Sequence, residues 1–323
     1  MMFDLQIQQR PIPSIFETTA LWDLLVIGGG PAGLNAALYT QRKGLKVGIV
    51  AKEIGGQLHN TSTVDNYLGI PMIEGKDLSS AFLKHLEALD VPLYLDYWVA
   101  NIQKSNGIFF VTMDNGSILK SKTILFATGG QPKKLNIPGE ATFANKGVSY
   151  CTTCDAPFFK GKNVIVAGGG NSAAEAVIDL AAWAKHITVI HRSQWRADKI
   201  ILNQFKAIPH LNIFLETQLL SIDGKDHMEG VWVLDKATQQ KRYMKADGLF
   251  IQIGLTANSS LIQSITQTNE KGEVWVDDQF MTTMPGLFAA GDVTQHPYKQ
   301  IVIAVGDGAK AALAIQQYLI HHS

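Results

Sequence analysis

Apolar residues fall along this chain in short bursts of strand length, each running into glycine and then into a stretch with helical spacing. Leu21 to Ile27 is a nearly unbroken apolar run that ends in Gly28-Gly29-Gly30-Pro31-Ala32-Gly33. Such a run predicts a strand buried on both faces. The spacing predicts a helix over Leu34 to Arg42 and a second strand over Lys46 to Ala51. Lys76 to Leu89 has an amphipathic helical pattern. Alternation from Tyr94 to Met113, followed by Asp114-Asn115-Gly116, predicts antiparallel strands with a hairpin turn. Lys122 to Thr128 predicts an apolar strand ending at Gly129-Gly130, and the prolines of Gln131-Pro132 and Pro138-Gly139 mark a domain boundary. The opening pattern then returns: strand Asn163 to Ala167, turn Gly168-Gly169-Gly170-Asn171-Ser172-Ala173, helix Ala174 to Ala184 and strand Ile187 to Ile190. Towards the end, Ala246 to Gly254, Glu273 to Asp277 and Gly286 to Asp292 read as strands. Gln300 to Tyr318 reads as an apolar helix, most of whose residues are expected to pack in the core.

The repeated unit carries chemistry. Glycines at 28, 30 and 33 have the G-x-G-x-x-G spacing of a dinucleotide-binding turn. The first two permit a tight turn and close approach to a pyrophosphate, the third permits close helix–strand packing, and the helix N-terminus offers free N–H groups to the phosphates. Glu53 stands where such units place an acid for a ribose hydroxyl. The second copy has Gly168, Gly170 and Ala173 at the equivalent places. Two such units, each between a strand and a helix, imply two dinucleotides. After the second copy comes His191-Arg192-Ser193-Gln194-Trp195-Arg196, with no acid. Guanidinium groups there suit a ribose 2′-phosphate and favour NADPH over NADH, against the plainer alternative of a solvated basic loop.

Composition narrows the class. The chain has 323 residues, 46% hydrophobic and 17% charged, with 28 basic against 28 acidic side chains. That describes a folded chain long enough for two domains, without the global positive charge that would favour nucleic acid or an anionic membrane. Met1 to Thr19 lacks an apolar core of signal-peptide length, and no apolar run reaches the length of a membrane span, so a soluble cytoplasmic protein is expected.

The two cysteines, Cys151 and Cys154, lie in Ser149-Tyr150-Cys151-Thr152-Thr153-Cys154-Asp155. Zinc wants four ligands and no second cysteine pair exists. A structural disulfide closing so short a loop would constrain the unfolded chain little. Polar Thr152, Thr153 and Asp155 argue against inert buried thiols, which leaves a redox dithiol as the favoured reading.

Together these elements resemble the low-molecular-weight thioredoxin reductase family. The likeness runs from about Leu21 to Leu319 through Gly28-Gly29-Gly30-Pro31-Ala32-Gly33, Gly55-Gly56-Gln57, Asn66, Ala127-Thr128-Gly129, Cys151-Thr152-Thr153-Cys154-Asp155, the Gly168 turn through Glu175, and Ala289-Ala290-Gly291-Asp292. Pro297-Tyr298-Lys299-Gln300-Ile301-Val302-Ile303-Ala304 is similar to the flavoprotein subunit of alkyl hydroperoxide reductase, a relative with an extra N-terminal thioredoxin-like module that this chain is expected to lack.

The resemblance implies an α/β fold of two Rossmann-like three-layer ββα nucleotide-binding domains, the second inserted into the first. Residues 1–130 and 255–323 would form the FAD domain, and 131–254 the NAD(P)H domain carrying the Cys-x-x-Cys. It implies FAD at Gly28, Gly30, Pro31, Ala32, Gly33, Glu53, Gly56, Gln57, Asn66, Thr128, Gly129, Asp292, Gln300 and Ile301. It implies NADPH at Gly168, Gly170, Asn171, Ser172, Ala173, Glu175, His191, Arg192 and Arg196, with Ser193 standing where the family usually has a second arginine. Cys154 would face the flavin, Cys151 would attack the partner's disulfide, and Asp155 would move the thiol proton. The expected activity is that of a homodimeric, NADPH-dependent reductase of thioredoxin or a thioredoxin-like disulfide protein. A flavin-dependent dithiol oxidase stays open as an alternative, as does a variant taking electrons from ferredoxin or another flavin. A non-enzymatic flavin-binding or nucleotide-sensing protein is disfavoured by the dithiol and its adjacent acid.

Overall fold

The computed structural model describes residues 20–322. Met1 to Thr19, read above as lacking a signal-peptide core, lies outside the described residues. The chain divides into two compact units, Met1–Asn60 with Gly75–Gly130 and Ala257–Ser323, and Thr61–Glu74 with Gln131–Thr256. The sequence reading counted residues 61–74 with the first domain; by backbone proximity this excursion groups with the second unit.

In the first unit, strand β1 (Leu21–Gly29) runs into helix α1 (Pro31–Arg42) and on to strand β2 (Val47–Ile54). The helix starts three residues earlier than the apolar spacing alone predicts. Pro31 fits its first turn without sacrificing a hydrogen bond, and Gly30 holds the extended conformation of an N-cap. β1 lies between β2 and Ile118–Phe126, parallel to both, with Leu24 opposite Val47 on one side and Thr123 on the other. Helix α2 (Gly75–Glu87) follows. Val99–Ser105, Ile108–Met113 and Ile118–Phe126 form an antiparallel meander that extends the sheet. The chain then returns after the second unit to add Leu287–Ala289 in parallel beside Ile118–Phe126.

Alternation along β1 splits its side chains between two cores. Leu24 and Val26 pack with Ala36, Ala37, Ala311 and Ile315 from helices, whereas Leu25 and Ile27 pack with Phe109, Phe126 and Ile262 on the opposite face. The unit is therefore three-layered.

The second unit repeats the plan around a parallel sheet in the order Val148–Ser149, Gly248–Ile251, Asn163–Ala167, His186–Ile190, Leu211–Phe214. It holds the short helices α3 (Thr152–Asp155) and α5 (Lys199–Leu202), and between them α4 (Asn171–Ala181). Val164 and Val166 pack with Ala173, Val177 and Leu180 of α4, while Ile165 and Ala167 face the side covered by the antiparallel strands Thr217–Gly224 and Met228–Asp235. The fold class read from the sequence is the one observed: α/β, with parallel sheets at the centre of both units.

One predicted strand does not form. Over Glu273–Asp277, Val274 makes only isolated bridges, to Thr268 and Thr294, because the backbone here is stitched to two different segments: Val274 N–H to Val293 and Trp275 N–H to Gln267.

The first unit closes on helix α6 (Ile301–His322), which lies against α1. The approach is close enough that a Cβ on Gly308 would stand 2.1 Å from the carbonyl oxygen of Ala32. Gly308→Ala should therefore push the helices apart and cost about 1–3 kcal/mol of stability, read from chemical unfolding followed by tryptophan fluorescence. Parental stability in that variant would show that the helices do not depend on this contact.

Candidate active site

The first glycine turn is tight at its ends and open in the middle. Gly28 has φ +118°, and a Cβ there would lie 2.3 Å from the Ala127 carbonyl oxygen. A Cβ on Gly33 would lie 2.2 Å from the carbonyl oxygen of Gly28. Around Gly30 a Cβ would meet nothing within 4 Å, so the chain leaves room above this residue where the other two leave none. The N-cap at Gly30 has no side-chain partner, which leaves the first turn of α1 without a side-chain cap.

Several predicted cofactor residues converge on this turn. Gly56, with φ +53°, stands so that its Cβ position is 3.5 Å from the Cα of Gly30. Its neighbour Gln57 donates its side-chain amide to Asp292, 3.2 Å away. Gly291, with φ +77°, brings the Ala290–Asp292 corner over α1, its Cβ position 3.0 Å from the Ala32 side chain. Glu53 sits exposed at the end of β2. Thr128 and Gly129 follow Ala127 on the far side, and Gln300 and Ile301 open α6. Asn66 lies exposed on the loop between Val64 and Ile73, which groups with the second compact unit.

Sequence reasoning missed three contributors. Asn258 locks Thr128 in place: its side chain donates to the Thr128 carbonyl at 3.0 Å, and its own carbonyl accepts from the Thr128 hydroxyl at 2.7 Å. Asp307 is buried on α6, with His296 at 3.6 Å. Lys299 pairs with Glu273 at 3.4 Å. The available signal was Gly306-Asp307-Gly308, a lone acid between glycines inside an apolar helix. Burial pushes the Asp292 carboxyl up to about 6; Lys299 opposes the shift and Asp307 adds to it.

The second turn repeats the geometry. A Cβ on Gly168 would lie 2.2 Å from the Gln252 carbonyl oxygen, and around Gly170 it would meet nothing within 4 Å. Ala173 is fully buried where the third glycine would stand. Ser172 and Glu175 are exposed on α4, while Asn171 is engaged with Asp198 through bonds of 2.8 and 2.9 Å. His191 is buried against Gly169, filling the space a Cβ would need, and its ring nitrogen meets the Ser193 hydroxyl at 3.1 Å. Burial, then the Arg196 and Arg192 charges, lower its pKa, which keeps the ring neutral near pH 7. Arg192 and Arg196 are exposed, and the Arg196 N–H donates to the Gly169 carbonyl at 2.7 Å, fixing their loop to the turn.

In the same unit Cys151 and Cys154 are joined as a disulfide, with Cα atoms 5.3 Å apart. Cys151 is the N-cap of α3. Its sulfur accepts from the Cys154 N–H at 3.2 Å and its carbonyl from the Asp155 N–H at 3.1 Å. Ser149 accepts the Cys151 N–H at 3.1 Å. Asp155 is half-buried; desolvation raises its pKa and a hydrogen bond from Ser149 partly offsets this. A half-buried disulfide next to a carboxylate whose pKa is raised towards neutrality can exchange electrons and protons together.

Residues 22–308 match the family described as pyridine nucleotide-disulphide oxidoreductase. The chain belongs to that family. Among curated members it is 40% identical over 310 residues to a component of the alkyl hydroperoxide reductase of Staphylococcus aureus (strain Mu50 / ATCC 700699), an alignment covering 96% of this chain and 61% of the relative. The chain thus spans about three-fifths of that relative's length. The crystal structure of thioredoxin reductase from Streptococcus pyogenes MGAS5005 superposes with a TM-score of 0.89 at 35% identity, covering 94% of this chain and 99% of the other. Thioredoxin reductase from Giardia duodenalis gives 0.86 at 28% identity over 93% and 99%. The half-buried Asp292 has a measurable consequence. Its pKa is raised on folding, so its contribution to stability is present at low pH and lost as pH rises through about 6. Between pH 4 and 7 the parent's thermal midpoint should fall relative to that of Asp292→Asn; a constant difference would show that Asp292 titrates as it does in the unfolded chain.

Proposed function

We propose that this oxidoreductase moves electron pairs from NADPH, through FAD, to the Cys151–Cys154 disulfide and on to a disulfide of thioredoxin or a thioredoxin-like protein. The observation that carries it is the Cys151–Cys154 disulfide beside Asp155, in the same unit as a second open glycine turn. The open space at Gly30, with Gly56, Gln57 and Asp292 gathered around it, fits a dinucleotide with a polar chain between its phosphates and its ring. Bound there, FAD would supply the conversion of a hydride from the nicotinamide into the electron pair that opens the disulfide. At the second turn, Gly168 and Gly170 would hold the pyrophosphate, and Arg192 and Arg196 would offer guanidinium groups to a 2′-phosphate.

The chain's own chemistry then runs on sulfur. Once the dithiol is formed, Asp155 holds the proton released as a thiolate forms at Cys151. That thiolate attacks the partner's disulfide, breaking its S–S bond and forming a mixed disulfide. Cys154 displaces it, the Cys151–Cys154 bond returns, and the partner leaves as a dithiol with two electrons and two protons more than it brought. The Cys154 N–H, aimed at the Cys151 sulfur, stabilises the thiolate in the first step.

The identity to the staphylococcal relative favours a second partner, a disulfide-bearing protein of an alkyl hydroperoxide reductase system. Anaerobic titration of the purified flavoprotein separates the readings of the donor. NADPH should bleach the flavin at lower concentration than NADH, and Arg192→Ala with Arg196→Ala should narrow that gap at least about tenfold. Failure of both nucleotides to bleach it would transfer the donor role to another carrier. In Cys151→Ser, flavin reduction should persist while reduction of the partner disulfide stops; retained partner reduction would remove Cys151 from the exit.

A further inference from the structure

Tyr150, the residue before Cys151, is held at both ends. Its hydroxyl donates to Glu140 at 2.8 Å, and its carbonyl accepts from the Gln252 side-chain amide at 3.2 Å. Glu140 is only 3% exposed and also accepts the N–H groups of Leu135 at 3.1 Å and Asn136 at 2.6 Å. Three donors on one carboxylate account for its burial without an ion pair. Burial, reinforced by Glu140, raises the pKa of the Tyr150 phenol, so it remains a donor across the physiological range.

Gln252 is fixed from the other side. It follows the strand Gly248–Ile251, its N–H donates to the Ala167 carbonyl at 2.8 Å, and its own carbonyl occupies the space beside Gly168. The backbone of this residue is therefore part of the nucleotide turn, and its side chain carries that fixed position across to the cysteine loop. Glu140 and Gln252 make their bonds to Tyr150, not to the sulfur atoms.

We propose that Gln252 and Glu140 are positioning residues for the Cys151–Cys154 pair, acting through Tyr150. The inference rests on reading that pair as the redox centre. Closing a disulfide depends on how often the chain brings one thiol over the other, which is an effective concentration. With Tyr150 tied at both ends, Cys151 is held in its extended N-cap conformation, φ −132° and ψ 103°, with its sulfur over the first turn of α3. Without the ties the reduced loop explores more conformations, the thiols meet less often, and the dithiol gains on the disulfide.

The test equilibrates the full-length protein with mixtures of reduced and oxidised dithiothreitol and counts thiols by maleimide trapping. In that exchange the Cys151–Cys154 bond opens with two electrons and two protons from dithiothreitol, which closes its own disulfide. Gln252→Met keeps the side chain's length and removes its donors. Its disulfide should be about three- to tenfold less favoured over the dithiol than the parent's, the weight of one lost hydrogen bond. Tyr150→Phe, which removes one hydroxyl, should move the equilibrium in the same direction and carries the test if Gln252→Met does not fold. An equilibrium within about twofold of the parent in a folded variant overturns the proposal. Neither nicotinamide nor a partner enters this measurement, so a failed NADPH titration and a failed positioning role are separate results.

Discussion

In both units a backbone carbonyl presses against the α-carbon of the first glycine of a strand–helix turn, Ala127 against Gly28 and Gln252 against Gly168. No side chain fits in either gap, since an added Cβ would lie 2.3 Å or 2.2 Å from the oxygen. The contact forces the chain to leave the sheet sharply and begin its helix at once, with the middle glycine facing open space. The carbonyl comes in each case from just past a parallel neighbour of the strand that enters the turn, Ile118–Phe126 in one unit and Gly248–Ile251 in the other. The turn can therefore be correct only when the sheet is correctly ordered, and the residues after that strand, Thr128-Gly129 and Gln252, are carried to the turn by the same contact.

The structure partly buries two acids that water would rather hold. Asp292 and Asp155 both have raised pKa values, and in both desolvation is the leading cause. Each is partly relieved by a different neighbour, the Lys299 charge in one case and the Ser149 hydroxyl in the other. For Asp155 the result is a carboxyl group that gives up its proton less readily than an exposed one, directly after the cysteine pair in the chain. Glu140 shows the opposite solution. Its burial is met by three hydrogen-bond donors, and it serves to hold an element rather than to exchange a proton.

Much of this was legible in the linear chain because it is local. The nearly unbroken apolar run Leu21 to Ile27, the glycine spacing, and its second appearance at Gly168 specify strand, turn and helix by propensities that act over a dozen residues. The two cysteines with Asp155 announced themselves by being adjacent. Boundaries were less legible: Pro31 extended α1 backwards beyond its apolar pattern, and Glu273–Asp277 lost its strand because its backbone found two partners instead of one.

The sequence by itself determined the α/β class, the duplicated turn and the candidate dithiol, since each depends on neighbours along the chain. Tertiary structure alone decided which distant groups would share a site. It set Gln57 against Asp292, Asn258 against Thr128, and Gln252 and Glu140 against Tyr150. It also turned His191 inward against Gly169 instead of leaving it beside the exposed Arg192. The reason is physical: such contacts are fixed by sheet order and by burial of polar groups that must find partners, and neither quantity is written in the spacing of residues along the chain.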